Sequence, residues 1–211
     1  TSTELAENTG DNYASRLCPL GFAVFSVDYR WTPFGKDEML DVSGAYDYLA
    51  SRSDIDKTKI VVMGGSHGGY MATMAVSAPE YKRPFIAAVN LYGFLDIEKL
   101  VKSDVNKTNP QIKITLDALG DPAENKDSYQ AISPVALMKN ISTPLLVVVG
   151  SEDPFTEELE DFSKQLQNEG KDVDLQIVEG AKHGFEFQQE PYTTSLWNYV
   201  REFLEKRVLQ K

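Results

Sequence analysis

Lys59-Ile-Val-Val-Met-Gly-Gly-Ser-His-Gly-Gly-Tyr-Met-Ala-Thr-Met-Ala-Val-Ser-Ala78 decides the fold. Lys59 to Gly64 is short, β-branched and bounded by glycine, which reads as a buried strand. Gly68 to Ala78 is a run of small and apolar residues that reads as a helix. Between them, Gly64-Gly65-Ser66-His67-Gly68 fits the pattern G-x-S-x-G. A serine at a sharp strand-to-helix turn is lifted above the sheet, and glycines two residues to either side let strand and helix approach without a Cβ clash. The helix N-terminus adds partial positive charge, and the amide after the serine faces a developing oxyanion. A glycine-rich turn that only packs tightly, or that binds phosphate, is the plainer alternative.

The same rhythm runs outward from this turn. Gly21 to Asp28 is a continuous apolar run rich in β-formers and predicts a strand buried on both faces. Phe85 to Tyr92 and Pro144 to Gly150 predict further strands, and Val173 to Val178 alternates like a strand near a sheet edge. Helical periodicity covers Tyr13 to Leu20, Met39 to Ser51, Tyr129 to Met138, Thr156 to Glu169 and Tyr192 to Val208. Residues 94–126 are polar and break the rhythm, as an insertion capping one end of the sheet would, with a weak helical stretch at Gln111 to Leu119. Strands alternating with helices predict a mostly parallel sheet covered on both faces, an α/β architecture in one domain over residues 1–211.

Composition narrows the function classes. The chain has 211 residues, 42% apolar and 25% charged, which is ordinary for a folded domain and argues against disorder. A net charge of −11 repels phosphate backbones and anionic headgroups, so neither nucleic acid nor membrane is an expected partner. No apolar run reaches the ~18–20 residues of a membrane span. The single cysteine, Cys18, excludes an internal disulfide and weakly favours a reducing, cytoplasmic setting. No cysteine or histidine cluster has metal-ligand spacing, and neither metal nor cofactor is expected.

A serine nucleophile needs a base, and the base needs an orienting acid. There are two histidines. His67 is pinned beside Ser66, so its ring is badly placed to take that hydroxyl's proton. His183, in Glu179-Gly-Ala-Lys-His-Gly-Phe185, follows the last strand on a glycine-flanked loop and is the remaining candidate base. Gly150-Ser-Glu-Asp-Pro154 offers the acid, with Asp153 favoured over Glu152 because Pro154 limits the turn after it. Asp153 could instead cap the helix that follows. Ser66, Asp153 and His183 each lie just past the C-terminal end of a different predicted strand, where α/β sheets place their sites.

Gly64 to Tyr70 resembles the Gly-Gly-Ser-x-Gly-Gly turn of the prolyl oligopeptidase family of serine hydrolases. The likeness continues through Leu119-Gly-Asp-Pro122, Tyr129 to Ser133-Pro134, Pro144 to Asp153 and His183-Gly-Phe185. It implies an α/β-hydrolase fold, catalytic roles for Ser66, Asp153 and His183, and an oxyanion donor at the His67 backbone N–H. Val27-Asp-Tyr-Arg30 and Asp41-Val42 look like the dienelactone-hydrolase and hormone-sensitive-lipase groups of carboxylesterases. A small ester cleaved through an acyl-enzyme is the expected substrate. A peptidase catalytic domain of acylaminoacyl or dipeptidyl type, and a non-catalytic binding protein on the same fold, are the alternatives. Trp31, Phe34, Tyr70 and Tyr92 are candidate pocket residues, some of which would otherwise pack under the insertion. Arg30 is expected to pair with Asp28 or Asp41 rather than hold a substrate carboxylate.

Two departures matter. Pro154-Phe155-Thr156 follows the acid, where a Val-Pro pair is usual in the families it resembles. The His-Gly-Gly type loop that supplies their second oxyanion donor has no match before Gly21. In that fold the strand bearing this loop lies between the strands placed here at Gly21 to Asp28 and Lys59 to Gly64. Its absence would leave two rows of unpaired backbone groups in the core, each group costing on the order of 1–3 kcal/mol. An N-terminal segment with at least one buried strand is therefore expected in the functional protein, in the same chain or as a bound fragment. A homodimer paired through edge strands or the last helix is also compatible with the pattern.

Overall fold

Among the described residues four parallel strands form the sheet: β1 (Val61–Gly65), β2 (Ala87–Leu91), β3 (Leu145–Gly150) and β4 (Val173–Val178), in the order β1-β2-β3-β4. The structure is a computed structural model that describes residues 10, 12–103, 109–187 and 189–209. Gly65 pairs with Leu91, Leu91 with Val148, and Val148 with Gln176, so β3 and β4 run two residues past the C-terminal ends of β1 and β2. β2 and β3 are buried at every residue, which is why their sequences, apart from Asn90 on β2, are apolar rather than alternating. β4 mixes buried and exposed positions, as an edge strand does.

The helices are α1 (Asp37–Ser51), α2 (His67–Ser77), α3 (Ile97–Lys102), α4 (Pro110–Leu119), α5 (Lys126–Gln130), α6 (Pro134–Leu137), α7 (Thr156–Asn168) and α8 (Tyr192–Leu204). α2 packs on β1 and β2, while α7 and α8 pack on β3 and β4. The predicted helix at Tyr129 to Met138 is split in two, because Pro134 at the first position of α6 begins a new helix. Residues 12–17 are helical and run into a short 3₁₀ turn that ends at Gly21 in the left-handed region, φ 93°. The 94–126 segment contains two helices, α3 and α4. α4 is tied to the loop before α1: Gln111 Nε2 donates to the Thr32 carbonyl at 2.9 Å, and the Phe34 amide donates to Thr115 Oγ1 at 3.1 Å.

The strand expected at Gly21 to Asp28 is not formed. Residues 22–30 alternate between exposed and half-buried, Phe25 is 47% exposed, and among the described residues no strand pairs with them. An apolar β-rich run records a tendency to be buried. A strand needs in addition a neighbour to take its amides and carbonyls. β1 is an edge of the sheet for the same reason: β2 is its one partner among the described strands. Four of its five residues, Val61, Val62, Met63 and Gly65, are half-buried, although their sequence is that of a strand covered on all sides.

Candidate active site

Ser66 sits between β1 and α2 with φ 54° and ψ −116°, a conformation that a non-glycine residue holds only under strain. The turn that imposes it depends on bare glycine. A Cβ on Gly64 would stand 2.6 Å from the Gly68 carbonyl carbon, so strand and helix touch where the sequence spacing required. The Ser66 amide donates to the Leu91 carbonyl at 2.8 Å, which fixes the turn to the end of β2.

The three residues singled out in separate loops are brought together. His183 Nε2 lies 2.8 Å from Ser66 Oγ, and His183 Nδ1 lies 2.8 Å from Asp153 Oδ2. Asp153 has a side chain with no solvent exposure. Its Oδ1 accepts from the Phe155 amide at 2.9 Å, so the turn-capping role and the contact with histidine are held by the two oxygens of one carboxylate. Glu152 points out and faces Lys182 at 3.9 Å, with its side chain 56% exposed. A carboxylate accepting the Nδ1 proton fixes the histidine tautomer that leaves Nε2 free to accept from the serine hydroxyl. The His67 amide is the first of α2 and has no intrahelical acceptor, as the first amides of any helix lack one.

The His67 side chain is held away from that chemistry. Its Nε2 is 2.9 Å from Glu38 Oε2 and its Nδ1 is 3.3 Å from the Tyr29 hydroxyl. The rings of Tyr29, Phe34, Tyr70 and Phe94 surround it. Glu38 is fully buried and also accepts from the Gly35 amide and Gln111 Nε2, each at 2.8 Å. Burial, with the charges of Glu38 and Asp28 adding, pushes the Tyr29 phenol up to about 12, so it stays a neutral hydroxyl. Sequence reading missed Glu38. In Asp37-Glu38 it looks like first-turn charge on a solvated helix, and no local signal marks it as the group facing His67.

The candidate pocket residues divide. Trp31 is 45% exposed beside an open hollow that it lines with Asp28, Tyr29 and Arg30. Phe34, Tyr70 and Tyr92 are fully buried. The Tyr70 hydroxyl donates to the Ile132 carbonyl at 2.9 Å, and the Tyr92 ring meets the edge of His183 with centroids 5.0 Å apart. Tyr70 and Tyr92 thus pack behind the turn and offer no open face to a substrate. Arg30 pairs with Asp41, Nη2 to Oδ1 at 2.8 Å, rather than standing free.

A sequence profile described as the Prolyl oligopeptidase family matches residues 17–207. The acylamino-acid-releasing enzyme of Homo sapiens is 27% identical over 191 residues, 81% of this chain and 26% of that protein. The chain thus spans about a quarter of the curated relatives it matches. Among solved structures, an acylaminoacyl peptidase of Pyrococcus horikoshii superposes with TM-score 0.70 at 23% identity, over 84% of this chain and 28% of that one. Carboxyl esterase 2 of Tuber melanosporum superposes with TM-score 0.75 at 21% identity, over 96% of this chain and 73% of that one. At such identities the likeness is one of fold, and the fold is that of the α/β-hydrolases.

Proposed function

Because this chain belongs to the prolyl oligopeptidase family, we propose that it is a serine hydrolase acting on carboxylic acyl groups through an acyl-enzyme. The observation that carries the reading is the hydrogen-bonded row Ser66–His183–Asp153, drawn from three loops. Ser66 Oγ attacks the carbonyl carbon while His183 takes its proton. The His67 amide receives the developing oxyanion. His183 then protonates the leaving group, and water repeats the sequence to free the acid. Asp153 holds the tautomer and offsets the imidazolium charge.

Small esters are the first substrate class. An ester's alkoxide leaves more readily than the amide nitrogen of a peptide, so ester cleavage makes the smaller demand on His183 as acid. The second reading is release of an acylated amino acid from a peptide. It is favoured by the acylamino-acid-releasing enzymes among the relatives, and the rest of those longer proteins would then select the peptide. The test compares p-nitrophenyl acetate and butyrate with N-acetyl-alanyl p-nitroanilide on the natural protein. Ester turnover with kcat/KM at least a hundredfold above the anilide supports the first reading, and the reverse ranking supports the second. No turnover of either removes the hydrolase reading and leaves a binding protein on this fold.

We further propose that one more strand pairs with the outer edge of β1 in the functional protein, in the same polypeptide or as a bound fragment. The half-buried β1 edge and the unladdered run at 22–30 support it. Such a strand would satisfy backbone groups along β1 and bring a second oxyanion donor to Ser66.

A further inference from the structure

Glu186 is buried three residues after His183, in the turn between β4 and α8. The backbone of that turn is clamped to α8, where Trp197 Nε1 donates to the Glu186 carbonyl at 3.2 Å and Thr193 Oγ1 donates to the Phe185 carbonyl at 2.8 Å. The side chain runs the other way, onto the serine turn. A Cβ built on Gly65 would stand 2.6 Å from Glu186 Oε1 and 2.7 Å from the Tyr92 hydroxyl. The carboxyl therefore rests against the bare Cα that precedes Ser66. Glu186 Oε2, the Tyr92 hydroxyl and the Tyr13 hydroxyl are buried without a protein hydrogen-bond partner among the described residues.

The groups around this carboxyl are Tyr13 from the helical segment 12–17, whose phenol feels the Glu186 charge, and Tyr92 after β2, whose hydroxyl meets it at Gly65. The nearby guanidinium of Arg16 stacks over the Trp197 ring at 5.1 Å. Burial pushes Glu186 up to about 7. A neutral carboxyl loses less than a carboxylate does when it is taken out of water without partners. A carboxylate pressed against backbone in a dry site must regain water, and moving the turn outward provides it. Tyr92 links that movement to the site, since its ring touches both His183 and Phe185, with centroids 5.0 and 5.4 Å away.

We propose that Glu186 in its neutral form is a positioning residue for His183, seating the histidine turn against Gly65 so that loss of the Glu186 proton lifts the turn and breaks the Ser66–His183 contact. The inference rests on the serine hydrolase reading and adds to it a proton-controlled placement of the base. The test measures kcat/KM for p-nitrophenyl acetate from pH 5 to 9 in the natural protein and in Glu186→Gln. The natural protein is expected to decline on the alkaline side from about 7, by about tenfold per pH unit for a single proton. Glu186→Gln is expected to lose that decline and keep its activity below pH 7. An alkaline limb unchanged by Glu186→Gln overturns the proposal.

A second measurement needs neither turnover nor a folded Glu186 variant. In Ser66→Ala with ¹³C-labelled glutamate, one carboxyl should titrate near 7 with a matching shift of the His183 ring signals. Glutamates that all titrate in the ordinary carboxylate range, or a His183 ring that ignores the Glu186 midpoint, overturn it. An inactive natural protein that still shows the coupled titration would remove the hydrolase reading and leave the placement of His183 by Glu186 standing.

Discussion

Single side chains carry the proposed reaction, and their contributions are separable. Ser66→Ala is expected to lower kcat by ~10⁴–10⁶, the scale for a triad nucleophile. Asp153→Asn should lose several orders of magnitude, because an amide at 2.8 Å from Nδ1 permits the wrong tautomer. Glu152→Gln, on an exposed side chain, should cost less than a factor of two. Steady-state kinetics on the three variants checks the ranking, and a Glu152 effect larger than that of Asp153 would move the acid by one residue. Glu186 gives a different signature, in stability. Its carboxyl is raised from 4.5 to about 7, so the folded state holds the proton more tightly than the unfolded chain. Its favourable contribution is complete below the unfolded value and is lost as pH rises toward the folded one. The difference in unfolding free energy between the natural protein and Glu186→Gln should therefore shift by on the order of 3 kcal/mol between pH 4 and pH 8, against the natural protein at high pH. Urea titrations at both pH values read it directly.

Elements explain what could be read in the sequence and what could not. The serine turn, β2, β3 and β4 were legible because a strand inside a parallel sheet needs a short apolar run and a punctuating glycine, and both are local. Gly64, Ser66 and Gly68 announce their geometry for the same reason. The run at 21–28 was misread because pairing is not local. Val24, Phe25 and Val27 have strand-forming side chains, and only a neighbouring strand could turn that tendency into a ladder. Glu38 and Glu186 were illegible because nothing within a few residues distinguishes them from surface carboxylates. Their burial comes from His67, Gln111, Tyr92 and Gly65, which are distant in the chain. The His67–Glu38 contact gives a test of that tertiary layer. Glu38→Ala leaves Gln111 Nε2 and the Gly35 amide without their acceptor and removes the carboxylate beside His67, and should destabilise the protein by about 2–6 kcal/mol. Denaturant midpoints should show it, and a loss under 1 kcal/mol would mean that the buried carboxylate is dispensable to the joint between α1, α2 and α4.

At the scale of the whole molecule, the sheet has one edge that behaves as an edge and one that does not. β4 is polar enough on its open side to end a sheet, whereas Val61-Val62-Met63 on β1 is not. Residues 1–211 produced alone are expected to be insoluble or inactive, and to recover when a strand is supplied to β1. Amide hydrogen exchange at the β1 amides that face away from β2 should be fast in the chain alone and protected in the natural protein. Full activity from soluble residues 1–211, with those amides unprotected, would show that β1 serves the site as an edge strand. The central claim concerns Ser66 as a hydroxyl activated by His183 against Asp153, and covalent capture tests it most directly. The natural protein treated with a fluorophosphonate and digested should carry one phosphonyl group on Ser66, with the labelling rate falling steeply in His183→Ala and with no label in Ser66→Ala. Intact protein that stays unlabelled at Ser66, or labels there at a rate indifferent to His183→Ala, would contradict the account.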